Sequence, residues 1–140
     1  MFNPDCIVTE FDEQNRILHT AYSRRVHPAT EEHLDIIFSA YKNKLALFAA
    51  SERIYLIVDM SNLIIEPELK AGYAAQAKDI IEKYVKPHGV ARYGFQITRI
   101  TVRAGYDRYM HDNPNIFNSR EEAYRYIYSL IEKEAALPQV

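Results

Sequence analysis

The feature that most constrains the fold is the stretch at residues 54–73, IYLIVDMSNLIIEPELKAGY. An almost continuous apolar run leads to Asp59, and a polar turn, a Glu-Pro step and a helical pattern follow. This order is typical of a strand that is covered on both faces and continues into a helix. Open α/β sheets place their binding surfaces at the carboxyl ends of such strands. The sequence therefore predicts a site at the carboxyl end of this strand, although this pattern alone does not define the function of the site.

Composition narrows the class of protein. A chain of 140 residues can bury one core and is too short for two domains of ordinary size, so we predict one α/β domain over 1–140. The net charge of −2 argues against a nucleic-acid partner. Cys6 is the only cysteine, which excludes an intrachain disulfide and fits a reducing cytoplasm. No apolar run reaches the roughly 18 residues of a membrane span, so we expect a cytoplasmic protein for which peripheral membrane contact stays open.

Hydrophobic periodicity predicts a mixed sheet of about four to five strands, with about four helices. A polar connection at 12–15 joins two β-prone runs and predicts an antiparallel hairpin over 6–22. Thr30 is a candidate N-cap. Ser119 and Glu122 form a capping box, in which the Glu122 side chain is expected to reach the amide of Ser119. The further predicted elements are a helix over 30–50, a strand over 54–60, a helix over 67–85, a strand over 90–97, a helix over 98–112, a short edge strand at 116–117 and a terminal helix over 119–134.

Three local patterns set the boundaries in the second half of the chain. Pro67 can occupy the first turn of a helix, and the Pro-His-Gly sequence at 87–89 is expected to stop that helix. Gly94 marks either a weak point of the next strand or a close approach of two backbones. The 98–112 stretch fits both helical spacing and strand alternation, and we favour a helix.

The polar residues of the turn do not form a catalytic set. Asp59 and Ser61 lie two residues apart on an extended segment, which gives no oriented base and no oxyanion donor, so we expect no enzyme. We expect Asp59 to accept hydrogen bonds from the amides of the turn instead. The histidines lack metal-ligand spacing, and a hard cation needs about six or more convergent oxygens, so we predict no metal site. No glycine-rich phosphate loop is present, and we predict no cofactor.

The order of hairpin, long helix, VDMSNL strand and turn, helix, strand and NSREEAYRYI resembles the STAS superfamily, specifically its anti-sigma-factor-antagonist-like branch. The resemblance covers almost the whole chain. Residues 57–63 resemble the strand and turn that lead to the antagonists' regulatory serine. Phe117, Glu121, Glu122 and Ala123 resemble the F-x-x-x-E-E-A signature of small stand-alone members. The resemblance implies a STAS-like α/β fold and a non-enzymatic signalling module that binds a protein partner.

The regulatory serine has no counterpart in this chain. Antagonists of the switching type carry an Asp-Ser-Ser-Gly-like sequence at the start of the next helix, where phosphorylation blocks partner docking. This chain has EPELK at 66–70, and Glu68 lies at or near the place of the serine. Its single fixed charge is smaller than the charge of a phosphate, about −1.5 to −2. The resemblance thus implies partner binding without a kinase-operated switch, and the candidate partner-binding residues are Asp59, Ser61, Asn62, Glu66, Glu68 and Lys70.

A second function stays open at this point, because STAS-like folds resemble CRAL-TRIO lipid-transfer domains, which can open an apolar pocket. The tyrosine-rich 98–112 stretch favours a small apolar or anionic ligand. The candidate pocket residues are Leu63, Ile65, Tyr73, Tyr106, Tyr109 and His111. The apolar triplet at 63–65 either folds inward or forms a contact patch, and a patch would favour a homodimer.

Overall fold

The computed structural model describes residues 2–3, 5–94, 96–106 and 115–136, which form a four-stranded mixed sheet with helices on both faces. This is the α/β architecture that the sequence predicts. The strands lie in the order β1-β2-β3-β4. They are β1 (Ile7–Asp12), β2 (Ile17–Tyr22), β3 (Ile54–Asp59) and β4 (Val85–Tyr93). The helices of the described residues are α1 (Glu31–Phe48), α2 (Lys70–Tyr84), α3 (Gln96–Gly105) and α4 (Arg120–Ala136).

An antiparallel hairpin of β1 and β2 opens the sheet, as predicted, and the remaining neighbours are parallel. The Asp12 carboxylate accepts hydrogen bonds from the backbone and side-chain amides of Asn15 at 3.1 and 2.8 Å, which lowers the pKa of Asp12. Helix α1 connects β2 to β3, and α2 connects β3 to β4, because parallel neighbours need a long crossover connection. The carboxyl ends of β2, β3 and β4 therefore share one edge of the sheet.

Side chains fix the starts of α1 and α4. The Thr30 hydroxyl accepts a hydrogen bond from the His33 amide at 3.2 Å, as expected of an N-cap. The Ser119 hydroxyl accepts from the Glu122 amide at 3.2 Å. The reciprocal bond differs from the prediction, because the Glu122 carboxylate accepts from the Asn118 amide at 3.0 Å instead of the Ser119 amide. Glu122 reaches one residue further back than in a standard capping box.

The second half of the chain departs from two predicted boundaries. The predicted strand over 90–97 is wrong at both ends, since β4 follows α2 directly at Val85 and ends at Tyr93. The sequence at 87–89 therefore lies inside β4, which tolerates a proline because it is an edge strand of the sheet. Helix α3 begins at Gln96, earlier than predicted, and residues 107–114 of the predicted helix lie outside the described residues.

The two faces of the sheet carry separate apolar cores. Alternation along β3 directs Leu56 and Val58 to the face covered by α1 and α2, and directs Tyr55 and Ile57 to the face covered by α4. The α1/α2 face contains the larger core, and α3 packs beside α2. The smaller core on the α4 face consists of Ile17, Tyr55, Ile57, Ala91, Tyr93, Ala123 and Ile127.

Candidate partner-binding site

The 61–70 segment leaves the carboxyl end of β3 and leads into α2 through a 3₁₀ turn at Pro67–Leu69. The Asp59 carboxylate accepts hydrogen bonds from the Ser61 backbone amide at 2.8 Å and from the Ser61 hydroxyl at 2.5 Å. Asp59 is thus occupied with its own turn, as the sequence suggests. Ser61 is exposed at the tip of that turn.

Hydrogen bonds to the end of β2 fix the course of the segment. The Asn62 side-chain amide donates to the Tyr22 carbonyl at 2.7 Å, and the Asn62 carbonyl accepts from the Val26 amide at the same distance. The Ile64 amide donates to the Val26 carbonyl at 2.9 Å. These bonds form a short parallel bridge that extends the sheet beyond its regular strands.

Two residues of the apolar triplet point into the core, and the third, Ile64, is partly exposed. Leu63 and Ile65 are 1% and 2% exposed, and both belong to the larger core. The Thr98 hydroxyl of α3 donates to the Leu63 carbonyl, which ties the triplet to the neighbouring helix. The inward alternative therefore holds for Leu63 and Ile65, and these two residues offer no contact patch for a homodimer.

The polar side chains of the segment lie at the surface in front of α2. Glu66 and His27 are half-exposed, and His27 Nε2 lies at hydrogen-bond distance from Glu66 Oε1, 2.5 Å away. Glu68 is exposed next to Pro67, and Lys70 is partly exposed in the first turn of α2. Carboxylates at the amino end of a helix are stabilised by the helix dipole. The segment therefore presents an acidic surface whose course is set by the fold.

Gly94 brings β4 against this segment. Its φ is +130°, and a Cβ atom there would lie 2.6 Å from the Ser61 nitrogen and 2.7 Å from the Met60 carbonyl carbon. Any side chain would collide with backbone, so the position requires glycine. The Met60 amide also donates to the Tyr93 carbonyl at 2.7 Å. Of the two alternatives for Gly94, the structure shows the close approach of backbones.

Two buried polar side chains on the α4 face, His19 and Tyr93, lie near Asp59. His19 Nε2 lies 2.7 Å from the Tyr93 hydroxyl. Burial lowers the pKa of His19, and the nearby Arg120 cation lowers it further. Burial also raises the pKa of Tyr93. The sequence analysis missed His19 and Tyr93, although their positions at alternate, inward-facing sites of β2 and β4 are a detectable signal.

Of the four predicted pocket residues that the structure describes, Tyr73 and Tyr106 lie near Arg92, whereas Leu63 and Ile65 lie elsewhere in the core. Tyr73 lines a cavity of about 30 Å³ between the sheet, α1 and α2, and Tyr106 accepts a hydrogen bond from Arg92 Nη2 at 2.7 Å. Arg92 also lines this cavity, and sequence reasoning missed it, although it shares a strand face with the apolar Val90. Leu63 and Ile65 do not line the cavity, and Tyr109 and His111 lie outside the described residues.

Two further findings concern the described residues alone. They contain no group of three or more His, Cys, Asp or Glu side chains placed to hold a metal ion. None of the helices in this part of the chain combines the length and the apolar character that crossing a membrane requires.

The sheet order, the flanking helices and the loop at the end of β3 define a domain with the STAS-type fold of anti-sigma factor antagonists. The structure is similar to the crystal structure of an anti-sigma factor antagonist from Mycobacterium paratuberculosis, with a TM-score of 0.55 and 11% sequence identity, over 91% of this chain and 99% of that chain. At this identity the similarity shows the fold alone. No protein-family model matches the chain, and no curated protein matches it.

Proposed function

We propose that this chain is a non-enzymatic signalling module that binds a protein partner through its 61–70 segment. The observation that supports the proposal most is the placement of an ordered acidic segment at the carboxyl edge of a STAS-type sheet. Open α/β folds bind their ligands at this edge. A protein partner is proposed because the one similar structure described above is an anti-sigma factor antagonist, whose name refers to a protein.

The conformation of the segment supports recognition of another protein. Asp59 holds the turn at Ser61, Asn62 holds the segment to β2, and Glu66 pairs with His27. A surface that is already ordered loses little conformational entropy on binding, which improves affinity. The polar atoms near Asp59 are used within the fold, which argues for a recognition surface over a reactive centre.

The charge of the surface indicates the chemistry of the partner. Glu66 and Glu68 lie at the surface before the start of α2. A third carboxylate, that of Glu31, lies close to Gly72 in the first turn of α2, since a Cβ atom built on Gly72 would be 2.5 Å from Glu31 Oε2. Complementary charge steers association and fixes the register of two surfaces. We therefore expect a partner with basic side chains, and we expect binding that needs no phosphorylation of the 66–70 stretch.

The test is charge reversal at the exposed Glu68. A Glu68→Lys variant should bind the partner at least about tenfold more weakly, which corresponds to about 1.4 kcal/mol. The partner is first identified by cross-linking and mass spectrometry in the native cell, and its Kd is then measured with purified proteins. Thermal unfolding of the variant should be unchanged within a few degrees, because Glu68 is exposed and forms no ion pair with another described residue.

The matched control is Glu132→Lys, which makes the same change at an exposed position of α4. This variant should bind like the original protein. Equal Kd values for Glu68→Lys and Glu132→Lys would contradict the proposed surface, and turnover of a substrate that depends on Asp59 or Ser61 would contradict the non-enzymatic function.

A further inference from the structure

The two edges of the sheet differ in how they are closed. At the β4 edge, Pro87 interrupts the strand, and the Arg92 amide donates to the Asn115 carbonyl at 2.8 Å beside the bridge to Ile116. At the other edge, β1 contains no proline and no lysine, and its register with β2 runs without a bulge. Proline, lysine and bulges are devices by which edge strands avoid pairing with another strand. Among the described residues, β1 is therefore the edge that is open to a further strand.

The hydrogen bonds of the hairpin show which backbone groups of β1 face outward. The Ser23 amide donates to the Cys6 carbonyl at 2.8 Å, which makes these two residues a hydrogen-bonded pair of the antiparallel ladder. Such pairs alternate along the strands, so the residues of β1 that bond to β2 are Val8, Glu10 and Asp12. The backbone groups that point away from β2, where no described residue pairs with them, are those of Ile7, Thr9 and Phe11.

The side chains of β1 divide between the two faces of the sheet. Ile7 and Phe11 pack with the larger core, so Thr9 between them also lies on the α1/α2 face. Val8 and Glu10 lie on the other face, where α4 packs on β3 and β4. Val8 is 47% exposed, and the exposed Glu10 carboxylate lies 3.8 Å from the Arg120 guanidinium of α4. The edge thus has a mainly apolar row on one face and an exposed valine and carboxylate on the other.

A second copy of β1 pairs best with this edge in an antiparallel register whose two-fold axis passes through Thr9. Ile7 then lies opposite Phe11 of the second copy, and Thr9 lies opposite its own counterpart. Each of these pairs can exchange two backbone hydrogen bonds. Pairs of an aromatic with a β-branched residue, and pairs of threonines, are favourable across strands.

The charges on the other face select the same register. With the axis at Thr9, Val8 lies opposite Glu10 of the second copy, so two like charges are not directly opposed. Moving the axis to Glu10 would place the two Glu10 carboxylates opposite each other, which destabilises that register.

We propose that this chain forms a symmetric homodimer in which the β1 strands of two copies pair antiparallel about Thr9 and join the two sheets into one. The occupant of the edge is a second copy because the edge is complementary to itself in hydrogen bonds, in apolar pairs and in charge. Pairing of one strand buries a small area, so the dimer is in reversible exchange with the monomer. β1 shares no residue with the 61–70 segment, so this proposal and the proposed function can fail independently.

The test places opposite charges at the exposed Val8. Val8→Lys sets an ammonium group opposite Glu10 of the second copy and should lower the Kd of the dimer at least about threefold. Val8→Glu sets two carboxylates opposite each other and should raise the Kd at least about threefold. The two-fold axis repeats each pair and so doubles the effect on the free energy of association. The Kd values are measured by sedimentation equilibrium of the full chain at pH 7.5 and low ionic strength.

The matched controls are Ile100→Lys and Ile100→Glu, which make the same changes of charge at an exposed position of α3. These two variants should have the same Kd as the original protein. An equal response of the Kd at Val8 and at Ile100 would assign the effect to net charge and would overturn the proposed interface.

NMR spectroscopy tests the register directly. In a mixture of ¹³C-labelled and unlabelled chains, isotope-filtered NOEs should connect the Hα proton of Val8 to that of Glu10 in the other copy, because the Cα atoms of such a non-hydrogen-bonded pair are about 4.5 Å apart. A monomer at all concentrations up to about 500 µM, or a dimer whose intermolecular NOEs exclude β1, would overturn the proposal. Either result would leave the proposed function of the 61–70 segment to the Glu68→Lys test.

Discussion

The two faces of the sheet differ in how their cores are built. Among the described residues, the α4 face has a small core of seven buried residues, and Tyr93 of this core is hydrogen bonded with the buried His19. The α1/α2 face has a much larger core, yet this face contains the cavity and the buried Arg92. In this domain the larger core is therefore less tightly packed than the smaller one. The face that buries more apolar side chains is the one that contains a buried charged side chain and a cavity.

The strongest test of this comparison removes matched aliphatic side chains from β3. Ile57 and Leu56 are neighbours on the strand and point to opposite faces, and only Leu56 lines the cavity. Each change to alanine should lower the free energy of unfolding by about 2–5 kcal/mol. Ile57→Ala should lie in the upper half of that range and Leu56→Ala in the lower half, because a side chain beside a cavity already has fewer contacts to lose.

The measurement is urea unfolding at 25 °C, followed by far-UV circular dichroism because the chain has no tryptophan. Unchanged m-values are needed for the comparison. A larger loss for Leu56→Ala than for Ile57→Ala would show that the α1/α2 face is the more tightly packed one.

A second test adds atoms in place of removing them. Ala77 of α2 lines the cavity, whereas Ala123 of α4 is fully buried in the smaller core. Ala123→Val should destabilise the protein by about 1–3 kcal/mol, because extra methyl groups force a filled core apart. Ala77→Val should be close to neutral, since the cavity receives the added groups. Both residues are helical, so the lower helix propensity of valine contributes to both variants.

The same unfolding assay gives the difference between these two variants. A difference of at least about 1 kcal/mol in favour of Ala77→Val is expected. Equal destabilisation would mean that the cavity cannot accept the added methyl groups.

The smallest expected effect is the pH dependence of the α4 face. Burial first and Arg120 second lower the pKa of His19, while Asp59 and Glu10 oppose the shift. The unfolded chain thus binds a proton at His19 more readily than the folded chain does. Stability is complete above the unfolded pKa of about 6.5 and falls as the pH decreases below it, by at most about 1.4 kcal/mol per pH unit for one proton.

The measurement compares the free energy of unfolding at pH 7.5 and pH 5.5 for the original protein and for His19→Gln. The variant should lose less stability than the original protein over this interval. An equal loss in both would assign the acid sensitivity to other groups and would show that the buried His19–Tyr93 pair tolerates a charged imidazole.

Local signals in the sequence predicted much of the fold. The hairpin, the Thr30 cap and the strand before Asp59 depend on neighbouring residues and on simple periodicity, so they are readable without the tertiary structure. The start of β4 was not readable. A Pro-His-Gly sequence usually indicates the end of a helix or strand. It can lie inside a strand only at the edge of a sheet, and the order of the strands is a property of the whole sheet.

The candidate site also contains one feature that could be predicted from the sequence and one that could not. The turn at Asp59 and Ser61 was predicted because it follows one strand. The cavity was not, because Tyr22, Tyr41, Tyr73 and Arg92 come from four different elements that meet only after the sheet and both helices have assembled. The one available signal was an arginine among apolar residues of a strand. This signal predicts a buried arginine only if helices cover the face of the sheet on which the arginine lies.

The backbone contact at Gly94 has a mechanical consequence. Gly94 touches the peptide at Met60 and Ser61, and Arg92 lies two residues earlier on the same strand. Because the two backbones are in direct contact, a partner that displaces the turn at Ser61 also displaces β4, the strand that contains Arg92.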